Sequence, residues 1–232
     1  MSLISMIIYF VILMVIPMWA QHKVKSNYEK YSQVRSTSGK TGREVAEEIL
    51  HANGIYDVDV VKGEGFLTDH YDPNKKVVCL SPANFDRPSV AGTAIAAHEV
   101  GHAIQHQQGY AFLRFRTALV PLANIGSSLS YIVIMAGIFL TALGSAFGST
   151  ALWIGAGLMS LAVLFSIVTL PVEFDASSRA MKQITALNIV NEKEYKHARK
   201  VLSAAAMTYV AATATAVAEL VRIILLARAN DN

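Results

Sequence analysis

Charged side chains are scarce: they make up 16% of the 232 residues, against about a quarter in ordinary globular chains. The shortage is local. No charged residue occurs from Met1 to Gln21, and none from Thr117 to Val172. Runs of that length exclude a wholly water-soluble chain, since one helical span needs only about 20 apolar residues. Cysteine is nearly absent too. With Cys79 alone, neither an intramolecular disulfide nor a cysteine-based zinc cluster can form. Inside the apolar run "VVCL", Cys79 reads as a small buried strand residue. A strong net charge is also missing. At +3, with basic residues not interleaved with aromatics, the chain is not a nucleic-acid binder. It shows no internal repeat, low-complexity tract or linker.

What is present is a set of long apolar runs separated by polar stretches. Residues 1–20 read as an N-terminal transmembrane anchor. A cleaved signal peptide is the rival, but the segment lacks a basic start and "PMWAQ" offers no A-x-A cleavage site. Lys23, Lys25, Lys30, Arg35, Lys40 and Arg43 follow, against Glu29 and Glu44, so the positive-inside rule puts the next region in the cytoplasm. Residues 117–172 are too long for one span and fit a transmembrane hairpin that turns in "LGSAFGST". Arg116 and Glu173 then lie on the same side of the membrane. Residues 203–228 form an expected fourth transmembrane helix in which Glu219 and Arg222, three apart, can pair along one face. A helix packed on the soluble part is the alternative for that stretch. The expected architecture is a mainly α, multi-pass protein of a bacterial plasma membrane.

Residues 21–116 read as a small α+β, zincin-like soluble region. "TGREVAEEILHAN" carries a Thr41/Glu44 capping box and ends at Gly54. "VDVVKGEGFL" and "KKVVCLS" are short strand-like runs separated by the turn-like "DHYDPN". A helix opening at Pro88 and Ser89 continues to about Gln108, before Gly109. Two weaker motifs carry nothing. "SGKTG" at 38–42 lacks the first glycine of a phosphate loop, because Val34 stands there, and "GEG" at 63–65 reads as a turn.

The chemistry is concentrated in "AAHEVGHAIQH", Ala96 to His106. Residues four apart share a helix face, so His98 and His102 can hold one ion. Glu99, one position round, brings a carboxylate near that ion without ligating it. This is the H-E-x-x-H arrangement of two imidazole ligands and a general base. Gly101 costs about 1 kcal/mol relative to alanine within a helix, so close approach of another backbone or of substrate is its expected use. A catalytic zinc takes a third protein ligand. His106 is on the same stripe, but about 12 Å along the helix axis from His98, and is better placed as a supporting or surface group. Glu173 is the better candidate. It follows the hairpin directly, in "LPVEFDASSRA", where Pro171 suits the first turn of a new helix over residues 173–202. A carboxylate snorkelling at the interface is the plain alternative.

"HEVGH" at 98–102, an apolar hairpin, then "EFDAS" at 173–177 look like a membrane-embedded gluzincin. Nearly the whole chain, from the anchor through "HYDPNKKVVCLS" and "HEVGHAIQH" to "VLSAAAMTYVAA", resembles the YugP-like family of bacterial membrane zinc metallopeptidases. The resemblance implies one catalytic Zn2+ held by His98, His102 and Glu173, with Glu99 as catalytic base. In the related HtpX-type proteases an acid follows the third ligand four residues on. Here that position is Ser177, and Asp175 lies two residues after Glu173. Candidates for an oxyanion donor or a supporting role are Tyr195, His197, Arg199 and Tyr209, besides His106, Asp175 and Ser177. The strand-like "VVCLS" could pair with an extended substrate by strand addition. The expected activity is endopeptidase cleavage of membrane-protein or peptide substrates at the cytoplasmic membrane face. The alternative is a non-catalytic zinc-binding membrane scaffold or adaptor.

Overall fold

The computed structural model describes residues 3–231; the first two residues of the expected anchor and the terminal Asn232 lie outside them. Helix α1 (Leu3–Phe10) passes through a π-helical turn (Val11–Val15) into α2 (Ile16–Ser32). Then come α3 (Gly42–Ala52), β1 (Asp59–Lys62), β2 (His70–Asp72), β3 (Val77–Leu80), α4 (Pro82–Asp86) and α5 (Val90–Gln107). The long helices α6 (Ala111–Ala142), α7 (Phe147–Ala186) and α8 (Glu192–Ala229) complete the chain. The fold is mainly α with a small α+β part. Among the described residues, four helical stretches are long and apolar enough to cross a membrane: Ile7–Ser32, Ala111–Ala142, Phe147–Ala186 and Glu192–Ala229.

The chain divides into two compact units. The first comprises Met1–Trp19, Phe115–Leu170 and Tyr209–Asn232. Its own core is a short apolar cluster of Ile134, Leu152, Met159, Val163 and Ile223. Much of its remaining apolar surface is bare, with Ile132 67% and Phe139 63% exposed. Water would penalise that arrangement and lipid does not. The α6–α7 connection falls at residues 143–146, inside the expected "LGSAFGST" turn, with Gly144 at φ 73°.

The second unit comprises Ala20–Arg114 and Pro171–Thr208. Its sheet has the order β1-β3-β2, with β1 parallel to β3 and β2 antiparallel to it. The turn expected across "DHYDPN" is shorter than its composition suggests. His70–Asp72 pairs with Val77–Cys79, and the reversal is confined to 73–76, where the Asp72 carboxylate accepts from the amides of Asn74 and Lys75. Because β3 has a partner on each side, "VVCLS" has no free edge, and the expected strand addition to it is overturned.

Around the sheet, α3 buries Val45, Ala46, Ile49 and Leu50 against Val90, Ala91, Ala94 and Ala97 of α5 and against Val78 and Leu80. Those α3 positions recur at helical spacing, and burying each large aliphatic contributes about 1.5–3 kcal/mol. The Thr41/Glu44 capping box forms as the sequence indicates, and Ile55 N–H closes back on the Leu50 carbonyl past Gly54. The helix that carries the site opens where the sequence indicates: its N-cap is Ser89, whose hydroxyl accepts from Gly92 N–H.

The expectation of a new helix at Pro171 is also overturned, since Pro171 lies inside the unbroken α7. Residues 173–202 are accordingly not one element. They comprise the end of α7, a turn with Asn188 at φ 52°, and the start of α8. A proline removes only one helical donor, and a long apolar helix tolerates that where neighbouring groups stabilise the backbone.

Candidate metal centre

Two helix faces meet to make the site, both within the second unit. On α5 the face carries His98, Gly101, His102 and Gln105; on α7 it carries Glu173, Ala176, Ser177 and Ala180. Each set has the i, i+3, i+4, i+7 spacing of a single helical stripe. Ser177 meets His98, Ala176 meets Gly101, and the Val172 carbonyl meets Gln105, so the two stripes run in opposite senses. The close approach inferred at Gly101 is an approach of backbone. A Cβ there would lie 2.6 Å from the Ala176 carbonyl oxygen, inside any real contact distance.

This crossing brings three donor atoms together. His98 Nε2 is 3.3 Å and His102 Nε2 is 3.6 Å from Glu173 Oε2, and one ligand atom from each residue lies within 4.8 Å of the others. Two neutral imidazole nitrogens and one carboxylate oxygen form a donor set suited to zinc, whose preferred four-coordination calls for one more ligand. Glu173 is 4% exposed, so a charge there requires compensation by cations or donors.

The Nδ1 atoms of both histidines are engaged elsewhere, which leaves Nε2 for the shared centre. Ser177 Oγ is 3.1 Å from His98 Nδ1, and Gln105 Oε1 is 3.0 Å from His102 Nδ1. Gln105, fully buried, donates in turn to the Val172 carbonyl and to Asp175 Oδ2, both at 2.8 Å. Arg179 Nε donates to the same Asp175 oxygen at 2.5 Å and Nη1 to Gln108 Oε1 at 2.5 Å. Asp175 and Ser177 thus both support the site. Burial opposes a charge on His102, but the Glu173 and Glu99 carboxylates, with the Gln105 hydrogen bond, together outweigh burial and raise the imidazole's pKa. Glu99 is buried next to this group. Desolvation pushes its carboxyl above the ordinary carboxylate range, while His98 and His102 pull the other way. Among the described residues, no group donates a hydrogen bond to it.

The remaining candidates lie elsewhere. His106 turns away from the centre and hydrogen-bonds to the Tyr71 hydroxyl at 2.8 Å. His197 stacks on Tyr31 with ring centroids 4.6 Å apart. Tyr195 and Arg199 line a cavity of about 910 Å³ whose wall also includes Ser177, Phe174, Met181 and Met207. Tyr209 belongs to the first unit. Gln105 was missed by the sequence reading, although its position three after His102 placed it on the ligand stripe. Gln105→Leu is expected to weaken zinc binding about 10–100-fold in a competitive chelator titration, because His102 loses the acceptor that orients it. Unchanged affinity would show that Gln105 only fills space.

Comparison with known proteins agrees with this geometry. Residues 6–228 match the family described as "Putative neutral zinc metallopeptidase". The chain is 45% identical over 208 residues, 90% of each chain, to a protein of Bacillus subtilis (strain 168) named "Putative membrane protease YugP". No solved structure matches. With a match over almost its whole length and a converging His–His–Glu donor set, the chain belongs to this zinc metallopeptidase family.

Proposed function

We propose that the protein is an integral membrane zinc endopeptidase with one catalytic ion, held by His98, His102 and Glu173. The observation that carries this reading is the buried Glu99 carboxylate, to which no group among the described residues donates a hydrogen bond, beside three converging ligand atoms. A closed structural site has no use for such a carboxylate; hydrolysis has. Bound there, zinc would lower the pKa of a coordinated water toward about 7 and polarise the scissile carbonyl. Glu99 takes the proton from the attacking water and delivers it to the leaving amine nitrogen. Its buried setting brings its proton affinity closer to that of the groups it exchanges with. Ser177 and Gln105 hold the imidazoles with Nε2 directed at the centre. The cavity beside Ser177 offers a place for substrate side chains, and Arg199 and Tyr195 on its wall remain the candidates for an additional oxyanion donor.

The basic segment after the first apolar run supports a cytoplasmic location for the second unit. Glu173 follows the charge-free run directly, which suits substrates that are membrane proteins or peptides released at the bilayer surface. The test uses the full-length protein in detergent, with unfolded casein and a membrane-protein substrate. A chelator should abolish cleavage, and restoration should need one equivalent of zinc per chain. Cleavage that survives complete zinc removal would overturn the reading.

A further inference from the structure

A second feature of the α+β unit is a groove between α2 and α8, of about 680 Å³. Five cations line it: Lys23 and Lys30 from α2, and Lys196, Arg199 and Lys200 from α8. Lys30, Lys196, Arg199 and Lys200 are exposed, so their charges are available to a ligand. Two of the carboxylates nearby in sequence, Glu29 and Glu194, are committed elsewhere. Glu29 lies 3.9 Å from Lys25, and Glu194 is turned onto the Thr37 amide at 2.6 Å and hydroxyl at 2.7 Å. Among the described residues, Lys30, Lys196, Arg199 and Lys200 form no ion pair with any carboxylate. Lys30 lies over the Tyr31 ring, 5.5 Å from its centroid. Like charges gathered on one concavity repel each other, and a bound anion removes that repulsion.

The chemistry of the anion follows from what adjoins the cations. Lys23 stands two residues after the charge-free run that ends at Gln21, and the apolar stretch of α8 starts at Ser203, just beyond Lys200. Ala204 and Met207, in the first turns of that stretch, form part of the groove wall. A ligand must therefore present phosphate to the lysines and hydrocarbon to the apolar side. Basic pockets on helices that continue into apolar spans are suited to such headgroups.

We propose that the α2–α8 groove binds the phosphate-bearing headgroup of an anionic phospholipid. This site is separate from the His98–His102–Glu173 centre and does not depend on peptidase activity. Because Arg199, Ser203 and Met207 also line the larger cavity beside Ser177, the lipid would lie at the margin of the proposed substrate cavity.

The test uses delipidated full-length protein in a nonionic detergent, titrated with short-chain phosphatidylglycerol, short-chain phosphatidylcholine or inorganic phosphate. Lipid retention is read by native mass spectrometry and the unfolding midpoint is followed in parallel. Phosphatidylglycerol is expected to be retained and to raise the midpoint, while phosphatidylcholine and phosphate do neither. Lys30→Gln/Lys200→Gln should weaken phosphatidylglycerol binding about tenfold. The arginine pair at the same positions should keep it, and Lys62→Gln/Lys75→Gln should bind as wild type. Retention measured below each variant's own midpoint separates lost binding from lost folding. Wild-type binding by the Lys30/Lys200 glutamine pair would overturn the proposal. So would equal retention of phosphatidylcholine, or an equal shift from inorganic phosphate.

Discussion

Glu99→Gln is expected to retain about one zinc per chain and to cleave peptide bonds about 10²–10⁴-fold more slowly than the wild type. The substitution preserves size and shape at a position that is 8% exposed, so neither packing nor the helix is disturbed. It leaves His98, His102 and Glu173 untouched, and with them the proposed ligand set. What it removes is the ability to take up a proton. Glutamine cannot accept a proton from water at neutral pH or return it to the departing amine. Metal content and turnover, measured on the same preparation, therefore separate two readings that share a zinc site. Zinc retained with cleavage lost places Glu99 in the chemistry. Zinc retained with cleavage unchanged removes it from that role. If neither protein cleaves any unfolded or membrane substrate, the scaffold alternative takes precedence.

The sequence displayed the centre more completely than the scaffold around it, for physical reasons. His98, Glu99 and His102 are legible because helical spacing is local: four residues always return to the same face. Glu173 is 71 positions beyond His102 and could be connected to it only by treating the intervening apolar run as a hairpin. Gln105 escaped notice because a glutamine is commonplace on a helix. What singles it out is complete burial and a hydrogen bond to the Val172 carbonyl, both tertiary facts. Pro171 misled for the opposite reason. Its local preference for a helix start is real, but in α7 the flanking residues continue one 40-residue helix across it. The central place of β3 was likewise hidden, because β1 and β3 pair in parallel across an intervening strand. Periodicity shows a strand's faces, not its neighbours.

Gly101 joins the local motif to the tertiary site, and Gly101→Val is expected to lose zinc more than 100-fold and to unfold at a lower temperature. The spacing of His98 and His102 on α5 is unaffected by that change. Their distance from Glu173 depends instead on how closely α7 lies against α5. A Cβ at position 101 would meet the Ala176 carbonyl oxygen at 2.6 Å, its carbon at 3.2 Å and its Cα at 3.3 Å. These are backbone atoms in the middle of a helix, so no rotamer change relieves the overlap. The helices must separate by roughly 0.5–1 Å to restore van der Waals contact, and overpacking of this kind costs about 1–3 kcal/mol. A metal site tolerates only about 0.2 Å in its ligand distances, so the third ligand is lost before the fold is. Gly101→Ala should show the same effect at smaller amplitude. Gly157→Val, at an exposed position on α7 where a Cβ meets nothing within 4 Å, should leave zinc binding unchanged. If Gly101→Val instead holds zinc as tightly as the wild type, the α5–α7 approach does not set the ligand geometry.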